Sequence, residues 1–276
     1  MNTQLKGKNE IRRSTEAAKT LVSKVKVYHN VAGIAFLGGL VRGFVDKYSD
    51  LDITVFLDKR DELLRRRLYK IGVEEGKRLG VDVDLEIHYL SDVKRWKWNE
   101  TERWDFSHAK IAFDPNGQIK RMLRTKLKVP KDYWIERIVI CAEYMKWYCC
   151  PPREGVGTIA EAWIDRGDLL AAHYCLNYSV DLLFRVVFAL SKEFLPPQKW
   201  RVFYFRNLKW LPNNHRLLGE AIIIRDLSVG DLKRRLETVR KIWQVILPKI
   251  GRETGLTSSQ INRYYVEKIL RQTTVP

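Results

Sequence analysis

Gly38-Gly39-Leu40-Val41-Arg42-Gly43-Phe44-Val45-Asp46-Lys47-Tyr48-Ser49-Asp50-Leu51-Asp52-Ile53 is the stretch on which the reading of this chain turns. It is entered from Val31–Leu37, a continuous apolar run that reads as a buried strand ending in a glycine turn. It leaves through LDITVFL, residues 51–57, which reads as a second strand. Two bare glycines allow a phosphate to approach the backbone closely. A loop or short helix after them aims free N–H groups and Arg42 at the same space. Asp50 and Asp52 sit two residues apart, which puts both carboxylates on one face of an extended chain. Paired acids beside a phosphate cradle are what a hard divalent cation needs. Taken singly, a Gly-Gly is a turn and an Asp-x-Asp is a solvated strand end. Their order and spacing make the signal.

Outward from this segment the chain divides in two. Ala18, Leu21, Val22 and Val25 form one face of a helix over 10–28. DELLRRRLYKIGVEEGKRLG, residues 61–80, is a charged amphipathic helix, and VDVDLEIHYL, residues 81–90, alternates acid and apolar residues as a strand does. A further strand is expected at 108–113, stopped by the turn Asp114-Pro115-Asn116-Gly117, with an amphipathic stretch over 118–127. Beyond Val129-Pro130 only helical periods remain, at 132–149, 158–193, 214–225, 229–250 and 257–270. The piece 168–194 is apolar around much of its circumference and reads as the central helix of a bundle. The expected domains are therefore 1–127, with the sheet, and 128–276, all helical. Trp200, Phe203, Tyr204, Phe205 and Trp210 read as packing for the end of that bundle, with an RNA-stacking platform as the alternative.

The formal charge is +17, from 50 Lys+Arg against 33 Asp+Glu. Such a field favours polyanions, but the cations are spread along the chain apart from short clusters at 65–67, 120–121 and 233–235. Composition therefore supports a phosphate-bearing ligand without requiring nucleic acid. Abundant Lys, Arg and Glu also suit heat adaptation. The four cysteines, at 141, 149, 150 and 175, lack metal-ligand spacing and read as reduced, partly buried thiols. No long uncharged apolar run and no secretion signal are visible, so the expectation is a soluble, cytoplasmic protein without a membrane partner.

The segment 38–52 resembles the nucleotidyltransferase signature of the DNA polymerase β superfamily, in which a glycine pair precedes an apolar-flanked acidic pair by about ten residues. Within it, the chain is most similar to the kanamycin-type aminoglycoside nucleotidyltransferases and related uncharacterised proteins. Arg42, and Ser49 before the first acid, match that pattern. LEIHYLSDV, 85–93, resembles the strand bearing a third acid, WDFSHAKIAFDPNG the segment after it, and CAEYMKWY a helix carrying a glutamate and a lysine. Gly39 stands where a serine often contacts the terminal phosphate. The resemblance implies an α+β fold, a mixed sheet with helices followed by a helical bundle that binds the acceptor. It implies two Mg2+ ions held by Asp50 and Asp52 and completed by a third carboxylate. Asp82, Asp84 and Glu86 share the strand face for that role; the resemblance favours Glu86, with Asp84 as its rival. Gly38, Gly39, Arg42, Ser49 and Lys146 are implied to bind the nucleotide, and Glu143 to act as general base.

The expected activity is transfer of a nucleoside monophosphate from a nucleoside triphosphate, ATP foremost, to an acceptor hydroxyl, releasing pyrophosphate. A small-molecule acceptor is favoured because no RNA-binding module or concentrated basic stripe is legible. RNA-directed transfer, favoured by the charge, and protein AMPylation are the alternatives, with a non-catalytic nucleotide-binding module as the remaining class. The helical domain is also expected to supply a homodimer contact.

Overall fold

A computed structural model describes residues 5–151, 155–208, 210–211 and 215–270. They form two compact units, the first running to Val129 and the second beginning at Pro130. In the first, the chain runs α1 (Ile11–Val25), β1 (Val31–Phe36), α2 (Gly38–Arg42), β2 (Leu51–Leu57), α3 (Glu62–Leu79), β3 (Val83–Tyr89), α4 (Leu90–Arg95), α5 (Glu100–Ser107), β4 (Lys110–Phe113) and α6 (Gln118–Leu127). The sheet order is β3-β2-β1-β4, with β2–β3 parallel and both other pairs antiparallel. The mixed sheet expected of an α+β fold is present.

Both sheet faces carry a core, and residue parity decides which side chain joins which. Leu85, Ile87 and Tyr89 of β3 point with Ile53 and Val55 toward α1 and α3. The opposite face seats Phe56 and Ala35 against Leu90, Val93, Trp98, Ile119, Met122 and Leu123, brought by α4, α6 and the loop between α4 and α5. β1 is buried along its whole length, as a central strand covered on two sides must be. At the margin of the second face, Asp84 and Glu86 are exposed and His88 is half-buried. The short helices α4 and α5 were not legible as such. α5 is started by a capping box in which Asn99 and Glu102 each satisfy the other's backbone N–H.

The second unit is helical: α7 (Lys131–Tyr148), α8 (Ile159–Asp165), α9 (Leu169–Leu190), α10 (Gln198–Arg206), α11 (His215–Ile222), α12 (Val229–Thr254) and α13 (Ser258–Tyr264), followed by a π-helix over Tyr265–Leu270. α9 is its apolar centre. The single helix expected over 158–193 is two, because Gly167 turns left-handed (φ 79°) and Asp168 caps a new start by accepting from the Ala171 N–H. α12 outruns its expected end at 250 and passes through Pro248. Ile246 and Ile250 stay buried on either side of that proline, so packing outweighs one lost backbone bond. Phe205 packs edge-on to Phe184 of α9 and the Trp210 indole N–H donates to Ser191, which places those two aromatics in the bundle as expected. All four cysteines are buried and none forms a disulfide. No helix among the described residues is long and apolar enough to cross a membrane.

Candidate active site

The site is built where β1 ends beside the start of β2. The Leu37 N–H donates to the Asp52 carbonyl (3.0 Å), which clamps the two strands together just before the glycine pair. Gly38 then turns left-handed (φ +54°), and a Cβ there would lie 1.5 Å from Asp52 Oδ2. The first glycine therefore makes room for the Asp52 carboxylate itself. At Gly39 a Cβ would meet the Phe44 carbonyl at 2.7 Å, so the second glycine lets the chain fold back past α2.

Asp50 precedes β2 and Asp52 lies on it. The parallel register sets Asp52 against Asp84 and Thr54 against Glu86. Carboxylate oxygens of Asp50, Asp52 and Asp84 consequently all lie within 4.8 Å of one another. Partial desolvation by the surrounding protein pushes the Asp84 carboxyl above its ordinary range, and the like charges of Glu86, Asp50 and Asp82 add to the shift. Two bonds to one hard cation span about 4.2 Å for magnesium and about 5 Å for calcium. Three hard oxygen donors at this separation fit a divalent cation.

Of the two acids weighed for the third position, the fold gathers Asp84 and leaves Glu86 out. Glu86 is one full pleat, roughly 7 Å, farther along β3. Its carboxylate meets His88 Nε2 at 3.1 Å, and that hydrogen bond holds its pKa below the usual range. Sequence period alone could not separate residues 84 and 86, since both share a face; the strand register does.

Other expected nucleotide-binding residues are already engaged within the first unit. The Arg42 guanidinium is 2.9 Å from Asp105 and lies 4.2 Å over the Trp104 ring. It ties α2 to α5; both partners open the stretch WDFSHAKIAFDPNG, quoted for the resemblance without a role for either, and 63 positions separate Arg42 from Asp105. Ser49 closes the turn before β2: its hydroxyl donates to the Asp46 carboxylate (2.9 Å) and accepts from the Asp46 N–H (3.1 Å). Glu143 and Lys146 belong to α7 of the second unit. Glu143 is buried, ion-paired with Lys146, and accepts from Asn262 Nδ2 at 3.0 Å. Lys146 also donates to the Ser258 carbonyl (3.2 Å), so the pair holds α7 to α13.

The mixed sheet, its glycine turn and the clustered aspartates all fall within the first unit. Residues 15–110 match the family model described as the nucleotidyltransferase domain, and the chain carries such a domain in its first unit. A solved structure of a nucleotidyltransferase-like protein from Exiguobacterium sibiricum 255-15 is similar over 86% of this chain and 77% of that one, at 13% identity and a TM-score of 0.43. No curated protein matches the sequence.

Proposed function

We propose that the protein transfers a nucleoside monophosphate from a nucleoside triphosphate, ATP first among them, to an acceptor hydroxyl, with a divalent cation held by Asp50, Asp52 and Asp84. The observation that carries this reading is the convergence of those three carboxylates beside the glycine turn of a nucleotidyltransferase domain. A bound Mg2+ supplies neutralisation of the triphosphate's oxygens and acidifies the acceptor hydroxyl. Asp52, its carboxylate seated over Gly38, positions that charge at the end of β1. The backbone of Gly38 and Gly39 and the guanidinium of Arg42 hold the β and γ phosphates, with Asp105 fixing the arginine's direction. Ser49 holds the turn that presents Asp50. The family resemblance implies Glu143 as the acceptor's base, and that carboxylate lies buried against Lys146 within the second unit. The acceptor oxygen forms a bond to the α-phosphorus as the bond to pyrophosphate breaks.

The test is incubation with labelled ATP, CTP, GTP and UTP, Mg2+ and panels of aminoglycosides, tRNA and proteins. The kanamycin-type resemblance makes the first panel the one favoured for a small acceptor. Transfer is expected to vanish in Asp50→Asn and in Asp52→Asn. Full activity in either variant overturns the mechanism, and triphosphate binding by the wild type without any transfer favours a non-catalytic nucleotide-binding module.

A further inference from the structure

On the sheet face that carries the aspartates, α4 and α6 build a basic surface that the transfer chemistry does not use. α6 contains five basic residues counting Lys128 at its end, and no acidic one. Its positions 118, 121, 122, 125 and 126 share one side of the helix and, with Lys94 of α4, line a hollow of 270 Å3. Lys94, Lys120, Arg121 and Arg124 are exposed, and none has a carboxylate partner among the described residues. The neighbouring acids are committed elsewhere. Asp92 pairs with Arg60 and Arg95, Glu102 caps α5, and Asp114 accepts from the first turn of α6. Lys126 is crowded: burial, then the Arg103 charge, holds its amine below the ordinary lysine range, with Glu102 opposing.

An exposed aromatic adjoins these cations. Trp96 is 44% exposed, stands edge-on to His88 (ring centroids 5.1 Å apart), and its carbonyl accepts from the Lys126 amine. His88 lies on the same face of β3 as Asp84, four residues or about 13 Å along the strand. Acidic cluster and His88 therefore share one sheet face, with Trp96 against His88 and the basic hollow joined to Trp96 through Lys126. An exposed indole beside cations without carboxylate partners is the combination that holds single-stranded nucleic acid, bases stacking and phosphates pairing. A lipid surface would want apolar side chains between the cations, and on α6 Ile119, Met122 and Leu123 are all buried in the core.

We propose that the α4–α6 face, with Trp96, is a binding surface for the backbone and bases of a single-stranded polynucleotide. This does not depend on the transfer reading, since binding requires neither metal nor triphosphate.

The experiment is fluorescence anisotropy of a labelled 20-nucleotide single-stranded RNA against the full chain, titrated with salt. Each lost phosphate contact lowers the salt slope by about 0.7 and, at 0.1 M salt, the affinity by about five-fold. Lys94→Gln/Arg121→Gln should therefore bind roughly 25-fold more weakly, with the slope reduced by about 1.4. Trp96→Ala should lose at least about five-fold through stacking. Arg66→Gln/Lys70→Gln removes the same charge from exposed positions on α3, across the sheet, and should change affinity less than about three-fold. Equal weakening by the α3 pair would reduce the effect to the overall field and overturn the proposal. So would no RNA binding at low salt, or binding to phosphatidylserine vesicles without binding to RNA. Measuring the same isotherms in Asp52→Asn keeps the outcome separate from the fate of the transfer reading.

Discussion

Gly38→Ala is the sharpest perturbation of the site. The new methyl would fall 1.5 Å from Asp52 Oδ2 and 2.4 Å from its Cγ, whereas ordinary contact starts near 3.4 Å. The carboxylate must therefore retreat by roughly 2 Å, which takes it out of the position it shares with Asp50 and Asp84. The left-handed backbone adds about 1–2 kcal/mol of strain. Gly43→Ala separates the two effects. Gly43 is also left-handed (φ +80°), but nothing lies within 4 Å of a Cβ there. Both variants should lose similar stability in urea unfolding. Only Gly38→Ala should lose transfer, by about 100-fold or more, the cost of an ångström-scale misplacement. Calorimetry with Mn2+ should show its metal affinity falling by about ten-fold or more in step. If Gly38→Ala transfers at the wild-type rate while showing its stability loss, Asp52 need not sit where the fold puts it, and the three-carboxylate reading fails.

Three further outcomes are expected. Asp84→Asn should abolish Mg2+-dependent transfer while Glu86→Gln stays within about five-fold of wild type, because only the first removes a ligand oxygen from the cluster; the reverse order in a pyrophosphate-release assay would reinstate Glu86. Glu143→Ala leaves Lys146 without its partner in the interior and should cost about 3–5 kcal/mol in urea unfolding, while Glu143→Gln/Lys146→Met recovers much of it; absent transfer in that restabilised pair supports Glu143 as the base, and retained transfer removes it from the mechanism. In the second unit, burial and then the Arg235 charge lower the His173 pKa, and Nδ1 accepts from Arg235 at 2.8 Å, so the ring is neutral in the fold. The unfolded chain binds a proton there below about pH 6.5, so stability should fall with acidification from that point, by up to about 1.4 kcal/mol per pH unit. Chemical unfolding from pH 7 to 5 should show a shallower slope in His173→Asn.

Much of the first unit was legible because its signals are local. β1, β2 and β3 follow from apolar runs and a two-residue alternation, and the Gly38–Asp52 segment carries its own geometry within fifteen positions. α4 and α5 escaped because they are short and mixed in polarity, and their seat against the sheet comes from Leu90, Val93 and Phe106, contacts no window along the chain contains. The break at Gly167 and the run of α12 through Pro248 went opposite ways for one reason. A local rule yields where burial on both sides outweighs it, and holds where nothing opposes it.

The sequence by itself determined that a glycine turn precedes paired aspartates between two strands, since strand period and backbone sterics are properties of neighbouring residues. Only the tertiary structure decided what those residues face. Register across the parallel β2–β3 pair brought Asp84, and not Glu86, within 4.8 Å of Asp50 and Asp52. Packing of α5 claimed Arg42 for Asp105 and Trp104. The folding of α6 beside α4 turned scattered lysines and arginines into one surface. Each of these joins groups well separated along the chain, and a contact of that kind is set by how elements pack, which pattern along the chain does not encode.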